Sequence, residues 1–179
     1  MIIFTADNGG QTGEGNSNWP LRGNKAMLFE GDVRGKGFVW GSKLPKLNYD
    51  NNQLIHVSDW LPTIVEGIAG LELDKNKWKL DGYIVWPAIT MDSQSPCKEL
   101  LVNLNPHMKP EFMGQAAMWV GAWKLIDGLP NCSLALCPDG WLFNVKEDPN
   151  ERNNVSDQHP DIVKQLKERI EYYNSTHIE

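Results

Sequence analysis

An apolar run opens the chain and stops abruptly at a cluster of turn residues. Residues 1–6 read MIIFTA, and the next four are Asp7, Asn8, Gly9 and Gly10. A short continuous apolar run bounded by turn residues is typical of a buried β-strand, so we predict one over residues 1–6. Because a single strand needs partners, we expect it to belong to a larger sheet and the chain to be a piece of a longer protein.

A second strand, over residues 38–40, and one clear helix follow in the first half of the chain. Asp59 can cap the helix N-terminus, Pro62 falls in its first turn, and Gly70 supplies a stop. The apolar residues at the i, i+3, i+4, i+7 spacing of one helical face are Leu61, Ile64, Val65 and Ile68. We predict that this helix, over residues 59–69, is a core element that packs with the first strand.

The second half of the chain has a strand-like pattern that ends in a helix. The predicted strands are Glu99–Asn105, Ala116–Val120, Trp123–Ile126 and Trp141–Val145. Gly121-Ala122 joins the middle two as a two-residue hairpin, and a helical apolar face begins after Pro160. We therefore predict four antiparallel strands closed by one helix, a small α+β unit. The mixed segment 71–98 marks a boundary, which predicts domains at residues 1–75 and 76–179.

Composition excludes some classes of protein and favours an anion site near the N-terminus. The net charge is −6, from 17 basic and 23 acidic residues, which argues against nucleic acid as the main partner. No apolar run approaches the roughly 18 residues that span a bilayer, and no signal-peptide pattern is present. Residues 1–46 nevertheless hold six Lys or Arg against four acids, and nine of the 16 glycines lie in the first 41 residues. This composition is typical of anion sites and also of solvated Gly-rich surface loops.

Two pairs of side chains near the N-terminus have the chemistry of a binding site. Asp7 and Asn8 follow the first strand and offer the hard oxygen ligands that suit calcium or magnesium. The same residues also make a metal-free Asx turn. Arg22 and Lys25 lie on either side of Gly23 and suit a tetrahedral oxyanion, although most surface cations are simply solvated.

Taken together, these segments resemble the sulfatase family. The most specific strings lie in the first 40 residues: FTADNGGQT from Phe4, NWPLRGNK from Asn18 and EGDVRG from Glu30. The similarity continues in HVSDWLPT from His56 and in LDG, LVNLNP, GAWKL, WLF and DPNER, so it covers nearly the whole chain. Within the family, the sequence is most similar to the arylsulfatase B (N-acetylgalactosamine-4-sulfatase) group.

The resemblance implies a fold, an activity and a set of site residues. The fold is α/β and alkaline-phosphatase-like, and the chain is its C-terminal part: the end of the large mixed-sheet domain plus a small four-stranded antiparallel subdomain. The activity is calcium-dependent hydrolysis of sulfate esters, on aryl sulfates or glycosaminoglycan-type sugars. Asp7 and Asn8 match calcium ligands, and Lys25 matches a catalytic lysine that contacts the sulfate. The matching residues expected to be structural are Arg22, Arg34 and His56.

The nucleophile of the family does not occur in this chain. Sulfatases use a formylglycine made from the cysteine of a Cys-x-Pro-Ser-Arg motif, and none of Cys97, Cys132 and Cys137 stands in such a motif. We expect the formylglycine and further metal ligands upstream, and we expect the chain alone to be inactive. Val102 stands where the arylsulfatase B group has His, so a preference for galactosamine sulfate does not carry over.

The resemblance also implies the secretory route, with a lysosomal or secreted protein. Three N-x-[ST] sequons, at Asn131, Asn154 and Asn174, exceed the roughly one expected by chance and favour glycosylation. In an oxidising compartment we expect Cys132 and Cys137 to form a disulfide, which leaves Cys97 as the odd thiol.

Two alternatives belong to other functional classes. A non-catalytic sulfatase-like protein that binds anions or partners would share the fold but lack the nucleophile. Another enzyme of the alkaline-phosphatase superfamily, such as a phosphodiesterase, would act on phosphate esters. The NWPLRG string favours a sulfatase over the phosphodiesterase.

Overall fold

The computed structural model describes residues 1–74, 76–104, 114–128 and 140–176, and these form two β-sheets and four α-helical segments. A two-stranded sheet pairs β1 (Ile2–Thr5) with β2 (Gly37–Trp40). An antiparallel sheet has the order β3 (Glu99–Leu104), β4 (Gly114–Val120), β5 (Trp123–Gly128) and β6 (Trp141–Asn144). The helices are α1 (Glu30–Val33), α2 (Trp60–Pro62), α3 (Trp86–Met91) and α4 (Pro160–Thr176).

Contacts between Cα atoms divide the chain into two compact units. One unit contains residues 1–3 and 38–98, and the other contains residues 4–37 and 99–179. The Gly-rich N-terminal segment therefore groups with the late antiparallel sheet. The predicted boundary near residue 75 concerns the domains of a longer protein and stays a prediction.

The four-stranded sheet of the larger unit forms as the sequence predicts. Strands β4 and β5 pair from Val120 opposite Trp123, directly beside the two-residue connection. Gly121 in that connection has a φ of +63°, which glycine adopts without the clash of a Cβ. Helix α4 packs on one face of the sheet. The buried core between them consists of Ala116, Met118, Leu125, Leu142, Val163, Leu166 and Ile170.

A polar cluster fixes α4 to the edge strand β3. The guanidinium of Arg169 donates two hydrogen bonds to the Glu99 carboxylate, and Tyr173 Oη donates a third at 2.8 Å. The hydrogen bonds from Arg169 lower the pKa of Glu99. Helix α4 is therefore held by charge-assisted bonds at one side as well as by its apolar face.

The N-terminal segment covers the opposite face of the same sheet. Phe29 is buried there, and the guanidinium of Arg22 lies over the rings of Phe29 and Trp141, 4.2 and 5.0 Å from their centroids. The buried residues of this second layer are Leu28, Phe29, Ala117, Ile126, Phe143 and Val145. Both faces of the sheet are covered, which explains why its strands carry nearly continuous apolar runs.

A buried lysine interrupts the apolar pattern of β5. Lys124 is fully buried, and its Nζ lies 2.8 Å from Glu30 Oε1 and 2.8 Å from Glu151 Oε1. Both carboxylates are also buried, and Glu151 Oε2 accepts the N–H of Glu30 at 2.6 Å. Burial raises the pKa of Glu151, and the ion pair with Lys124 acts in the opposite direction. We call these three residues the ion cluster.

Two glycines let the N-terminal loop segments approach one another closely. The N–H of Gly9 donates to the Asp32 carbonyl at 2.6 Å, and the N–H of Gly31 donates to the Arg22 carbonyl at 2.6 Å. A Cβ added to Gly9 would lie 1.7 Å from the Gly31 carbonyl oxygen, and one added to Gly31 would lie 2.4 Å from that of Arg22. Neither position accepts a side chain without movement of the backbone.

The helix predicted over residues 59–69 forms, and Asp59 stands at the N-cap position of α2, although its side chain makes no cap bond to that helix. A short helical turn over Val57–Asp59 precedes it, and His56 caps this turn because its Nδ1 accepts the N–H of Ser58 at 3.4 Å. Asp59 completes the capping box, because one of its oxygens accepts the N–H of His56 at 2.8 Å. Its other oxygen accepts the N–H of Tyr83 at 2.7 Å, so Asp59 also fixes a later segment of the same unit.

The apolar face predicted for this helix is exposed at Leu61 and Ile64 and half-buried at Val65 and Ile68, so its prediction as a core face is wrong for the described unit. Residues Thr63–Ile68 are π-helical, and the N–H of Ala69 donates to the Ile64 carbonyl five residues earlier, at 2.9 Å. This winding moves residues at i, i+3, i+4, i+7 spacing off a common face. Leu61 is 52% exposed and Ile64 43% exposed, whereas Thr63 is fully buried.

The first strand forms as predicted but is not buried as predicted. Ile2 is 53% exposed and Phe4 50% exposed. Among the described residues β1 pairs with β2 and with no other strand. The apolar run identifies a strand, but burial requires further layers that this two-stranded sheet does not have. The predicted packing of β1 with the helix at residues 59–69 stays a prediction.

A small apolar core holds the remainder of the first unit. Its buried members are Val85, Ala88 and Ile89, at the start of and within α3. None of the described helices is long and apolar enough to cross a membrane.

The first prediction concerns the pH dependence that the ion cluster creates. The pKa of Glu151 is raised above its ordinary value of 4.5 by burial, so the folded chain holds this proton more tightly than the unfolded chain. Its contribution to the unfolding free energy is complete below 4.5 and is lost as pH rises through the raised pKa. The charged groups around it are Glu30, Lys124 and Arg22.

Glu151→Gln should therefore flatten the decline of melting temperature as the pH rises above 4.5, measured in the protein that carries this chain. The matched control is Glu147→Gln, which changes an exposed carboxylate in the same turn. A slope in Glu151→Gln equal to that of the unmodified protein would contradict this account.

The second prediction uses the close approach at Gly9. Gly9→Ala should lower the unfolding free energy by about 1–3 kcal/mol, because the new methyl group overlaps backbone that cannot retreat. A Cβ added to Gly13 meets nothing within 4 Å, so Gly13→Ala is the control and should change stability by less than about 0.5 kcal/mol. Urea denaturation measures both, and equal losses in the two variants would refute the packing argument.

Candidate functional site

The predicted oxygen pair lies in the turn that directly follows β1. The N–H of Ala6 donates to the Lys36 carbonyl at 2.8 Å, so the backbone is tied down up to the residue before this turn. Asp7 is exposed and Asn8 is half-buried. The amide nitrogen of Asn8 donates to the Gly9 carbonyl at 2.7 Å. That bond occupies the donor end of the side chain and leaves Oδ1 as its ligand atom.

Two asparagine side chains organise the loop after this turn. Asn18 accepts the N–H of Gly10 at 2.8 Å and donates to the carbonyls of Gly10, at 2.9 Å, and Gly23, at 3.1 Å. Asn24 accepts the N–H of Thr12 at 2.7 Å. Sequence reasoning missed both asparagines, because a loop Asn gives no signal of which distant backbone groups it will bind.

Lys25 belongs to the same loop cluster. Its N–H donates to the Gly10 carbonyl at 3.3 Å, which ties Lys25 to the segment that follows Asp7 and Asn8. The side chain of Lys25 is exposed. Its ammonium group is therefore available to an anion, beside a turn whose oxygens are available to a cation. The structure brings the backbones of the three predicted site residues together in one cluster of loop segments.

Asp32 is an acidic residue of this cluster that sequence reasoning also missed. Burial raises the pKa of its carboxyl, while the nearby N–H groups of Gly9, Ala26 and Met27 and the charge of Lys25 lower this pKa. Its Oδ1 is buried and has no hydrogen-bond partner in the part of the chain that the structure describes. The only signal in the sequence is its place in the EGDVRG string.

The oxygen pair fits part of a calcium site. Calcium in proteins takes roughly six to eight oxygen ligands, of which Asp7 and Asn8 supply about two or three. The described residues contain no group of three or more His, Cys, Asp and Glu side chains placed to hold a metal ion. The donors are chemically suitable, and a complete shell needs oxygens besides these.

The residues predicted to be structural take part in hydrogen bonds to the backbone. Arg22 Nη1 donates to the Glu151 carbonyl at 2.8 Å, and His56 caps a helix in the other unit. Arg34 is exposed at the end of α1, where its N–H donates to the Glu30 carbonyl at 3.0 Å.

Only some of the residues predicted to be glycosylated or to form a disulfide are among those that the structure describes. Asn131, Cys132 and Cys137 lie outside them, and so does the predicted disulfide. Asn154 is exposed, and its Oδ1 accepts the N–H groups of Leu142 and Ser156 at 3.0 and 3.1 Å. Asn174 is half-buried on α4, and Cys97 is buried. Glycosylation at the sequons stays a prediction.

Comparison with known proteins supports one family. No family model matches the chain. Arylsulfatase J of Mus musculus is 33% identical over 98% of this chain and 35% of its own length. The crystal structure of Ps i-CgsB in complex with k-i-k-neocarrahexaose superposes with a TM-score of 0.75 at 26% identity, over 96% of this chain and 36% of that one. The PsFucS1 sulfatase from Pseudoalteromonas sp. has the same fold, with a TM-score of 0.70 at 22% identity, over 98% of this chain and 36% of that one.

These matches show the fold class and support one family. The chain spans about a third of the length of the relatives that it matches. The predicted α/β sulfatase fold, as its C-terminal part, is confirmed, whereas arylsulfatase B-like specificity receives no separate support. The similarity to arylsulfatases extends over nearly every residue of this chain, which supports its membership of the sulfatase family.

Proposed function

We propose that the protein carrying this chain is a sulfuric ester hydrolase of the arylsulfatase kind. One observation carries the proposal: the N–H of Lys25 is bonded to Gly10, so a cation and the oxygen pair Asp7 and Asn8 belong to one cluster of loop segments. Adjacent cation-binding and anion-binding groups are what a metal-assisted reaction of a sulfate ester requires. The similarity to arylsulfatase J, over 98% of this chain, supports the same reaction.

In this proposal each of the site residues has a defined role. Asp7 and Asn8 would hold a calcium ion through their side-chain oxygens, and Asn18 fixes the loop that follows them. Bound calcium would polarise the sulfate group, and a formylglycine from sequence upstream would supply the nucleophile. Lys25 binds a sulfate oxygen and offsets the negative charge that grows there in the transition state.

The substrate that we propose is a sulfated sugar, of glycosaminoglycan type, or an aryl sulfate. The resemblance to the arylsulfatase B group supports a sugar, and so does the similarity to Ps i-CgsB in complex with k-i-k-neocarrahexaose. Val102, where that group has His, packs against the apolar layer around Phe29. We also propose a lysosomal or secreted location with glycosylation, supported by the family resemblance and the sequons.

The third prediction concerns Lys25. In the full-length protein, Lys25→Ala should lower kcat/KM for an aryl sulfate by roughly 100-fold or more, because it removes a cation that faces the sulfate. Its melting temperature should stay within about 2 °C of the unmodified protein, since the side chain is exposed. Lys36→Ala is the matched control, because it removes another exposed cation of the same segment. Equal activity in both variants would refute the role of Lys25.

The fourth prediction separates the chain from the longer protein. The 179-residue chain alone should hydrolyse no aryl sulfate and should bind calcium only feebly, because the nucleophile motif is absent and the oxygen set is incomplete. Turnover assays and calorimetric titration with calcium, on the chain and on the full-length protein, measure both properties.

Turnover by the chain would disprove the upstream nucleophile. An inactive full-length protein that still binds sulfate would favour the non-catalytic alternative, and turnover of phosphate diesters instead of sulfates would favour the phosphodiesterase.

A further inference from the structure

Lys124 is a buried cation that lies at the junction of the segments forming the candidate site. It stands in β5 opposite Trp119 of β4 and Phe143 of β6. Its Nζ lies 2.8 Å from a carboxylate oxygen of Glu30 and 2.8 Å from one of Glu151. Glu30 opens α1, and Glu151 lies in the turn after β6. One ammonium group therefore joins the sheet to two separate loop segments.

The first route from the ion cluster leads to Lys25. The carbonyl oxygen of Glu151 accepts a hydrogen bond from Arg22 Nη1 at 2.8 Å. The carbonyl of Arg22 in turn accepts the N–H of Gly31, the residue after Glu30, at 2.6 Å. Arg22 is thus bonded to Glu151 and to the residue after Glu30. It lies only three residues before Lys25.

The second route leads to the oxygen pair. Glu30 begins the short helix α1, and the carbonyl of Asp32 in that helix accepts the N–H of Gly9 at 2.6 Å. Gly9 directly follows Asn8, whose amide donates to the Gly9 carbonyl. Movement of Glu30 would therefore shift the turn that carries Asp7 and Asn8.

The backbone conformation of Glu151 fixes the direction of its carboxylate. Glu151 has a φ of +53°, a left-handed conformation that is unfavourable for a residue with a Cβ. The turn is held by the carbonyl of Asp148, which accepts the N–H of Glu151 at 3.1 Å, and by the Asp148 carboxylate, which accepts the N–H of Arg152 at 2.8 Å. The strained conformation directs the side chain to Lys124 and to the N–H of Glu30.

We propose that Lys124 is a positioning residue for the hydrolysis of sulfate esters, because its ion pairs with Glu30 and Glu151 hold the loop segments that present Lys25 and the oxygen pair. This inference rests on the proposed function. Lys124 is fully buried and acts through other residues. An apolar residue would fill the same space, but it would not fix two carboxylates at defined points.

The test uses the full-length protein and two variants on the same strand. Lys124→Met alone would leave two buried carboxylates facing each other, so the variant is Lys124→Met/Glu30→Gln, which keeps the volume and removes one of each charge. The control is Leu125→Ala, which removes packing in the core shared with α4. All proteins are compared at a temperature where circular dichroism shows each to be folded.

For the cluster variant we expect kcat for an aryl sulfate to fall roughly tenfold or more with a smaller change in KM, because a displaced Lys25 loses transition-state contact. Leu125→Ala should keep kcat within about twofold, although it also destabilises the fold. An unchanged kcat in the cluster variant, or an equal fall in Leu125→Ala, would overturn the proposal.

Amide hydrogen exchange gives a readout that needs no activity. In the cluster variant the N–H groups of Gly9, Glu30 and Gly31 should exchange roughly tenfold faster or more, while those of α4 keep their protection. If the unmodified protein hydrolyses no sulfate ester, the proposed function fails, and exchange at these amides still decides whether the cluster holds the loops. Unchanged exchange at all three would show that it does not.

Discussion

The ion pairs of Lys124 with Glu30 and Glu151 are the interaction on which the larger unit depends. They join β5, the start of α1 and the turn after β6 at one fully desolvated point. Removal of one partner from such a cluster leaves an uncompensated buried charge, which costs about 3–5 kcal/mol. The cluster therefore favours the arrangement of these segments in which the three charged groups meet. It specifies geometry more than it adds net stability, because burial of its three charges opposes their attraction.

The two faces of the four-stranded sheet have different tasks. The face toward α4 packs as an apolar core, and the hydrogen-bonded ion pair of Glu99 and Arg169 lies at its edge. The other face carries Phe29 and the ion cluster, and it supports the loops of the candidate site. A site whose loops rest on a rigid sheet can present exposed groups such as Asp7 and Lys25 in fixed positions. The loops themselves are tied by asparagine side chains and by backbone bonds at close-approach glycines.

Much of the larger unit was predictable because its signals are local. The four strands, the Gly121-Ala122 hairpin and the helix after Pro160 all formed where the apolar pattern and turn chemistry placed them. The helix near residue 60 and the place of Asp59 at its start were also predictable, but the capped turn before it and its buried face were not. His56 is an uncommon cap, and the π-helical winding of Thr63–Ile68 changes which residues share a face. Neither feature follows from spacing alone.

The sequence by itself determined the residue types that matter: an oxygen pair after a strand, a lysine among glycines, and the strings that resemble sulfatases. It could not reveal that Lys124 and Glu151 meet Glu30, because these residues are 94 and 121 positions from it in the chain. In the sequence Lys124 is one charged residue in an apolar strand. Only the tertiary structure decided its role, since the partners of a buried charge depend on which distant segments the folded sheet brings to its surface.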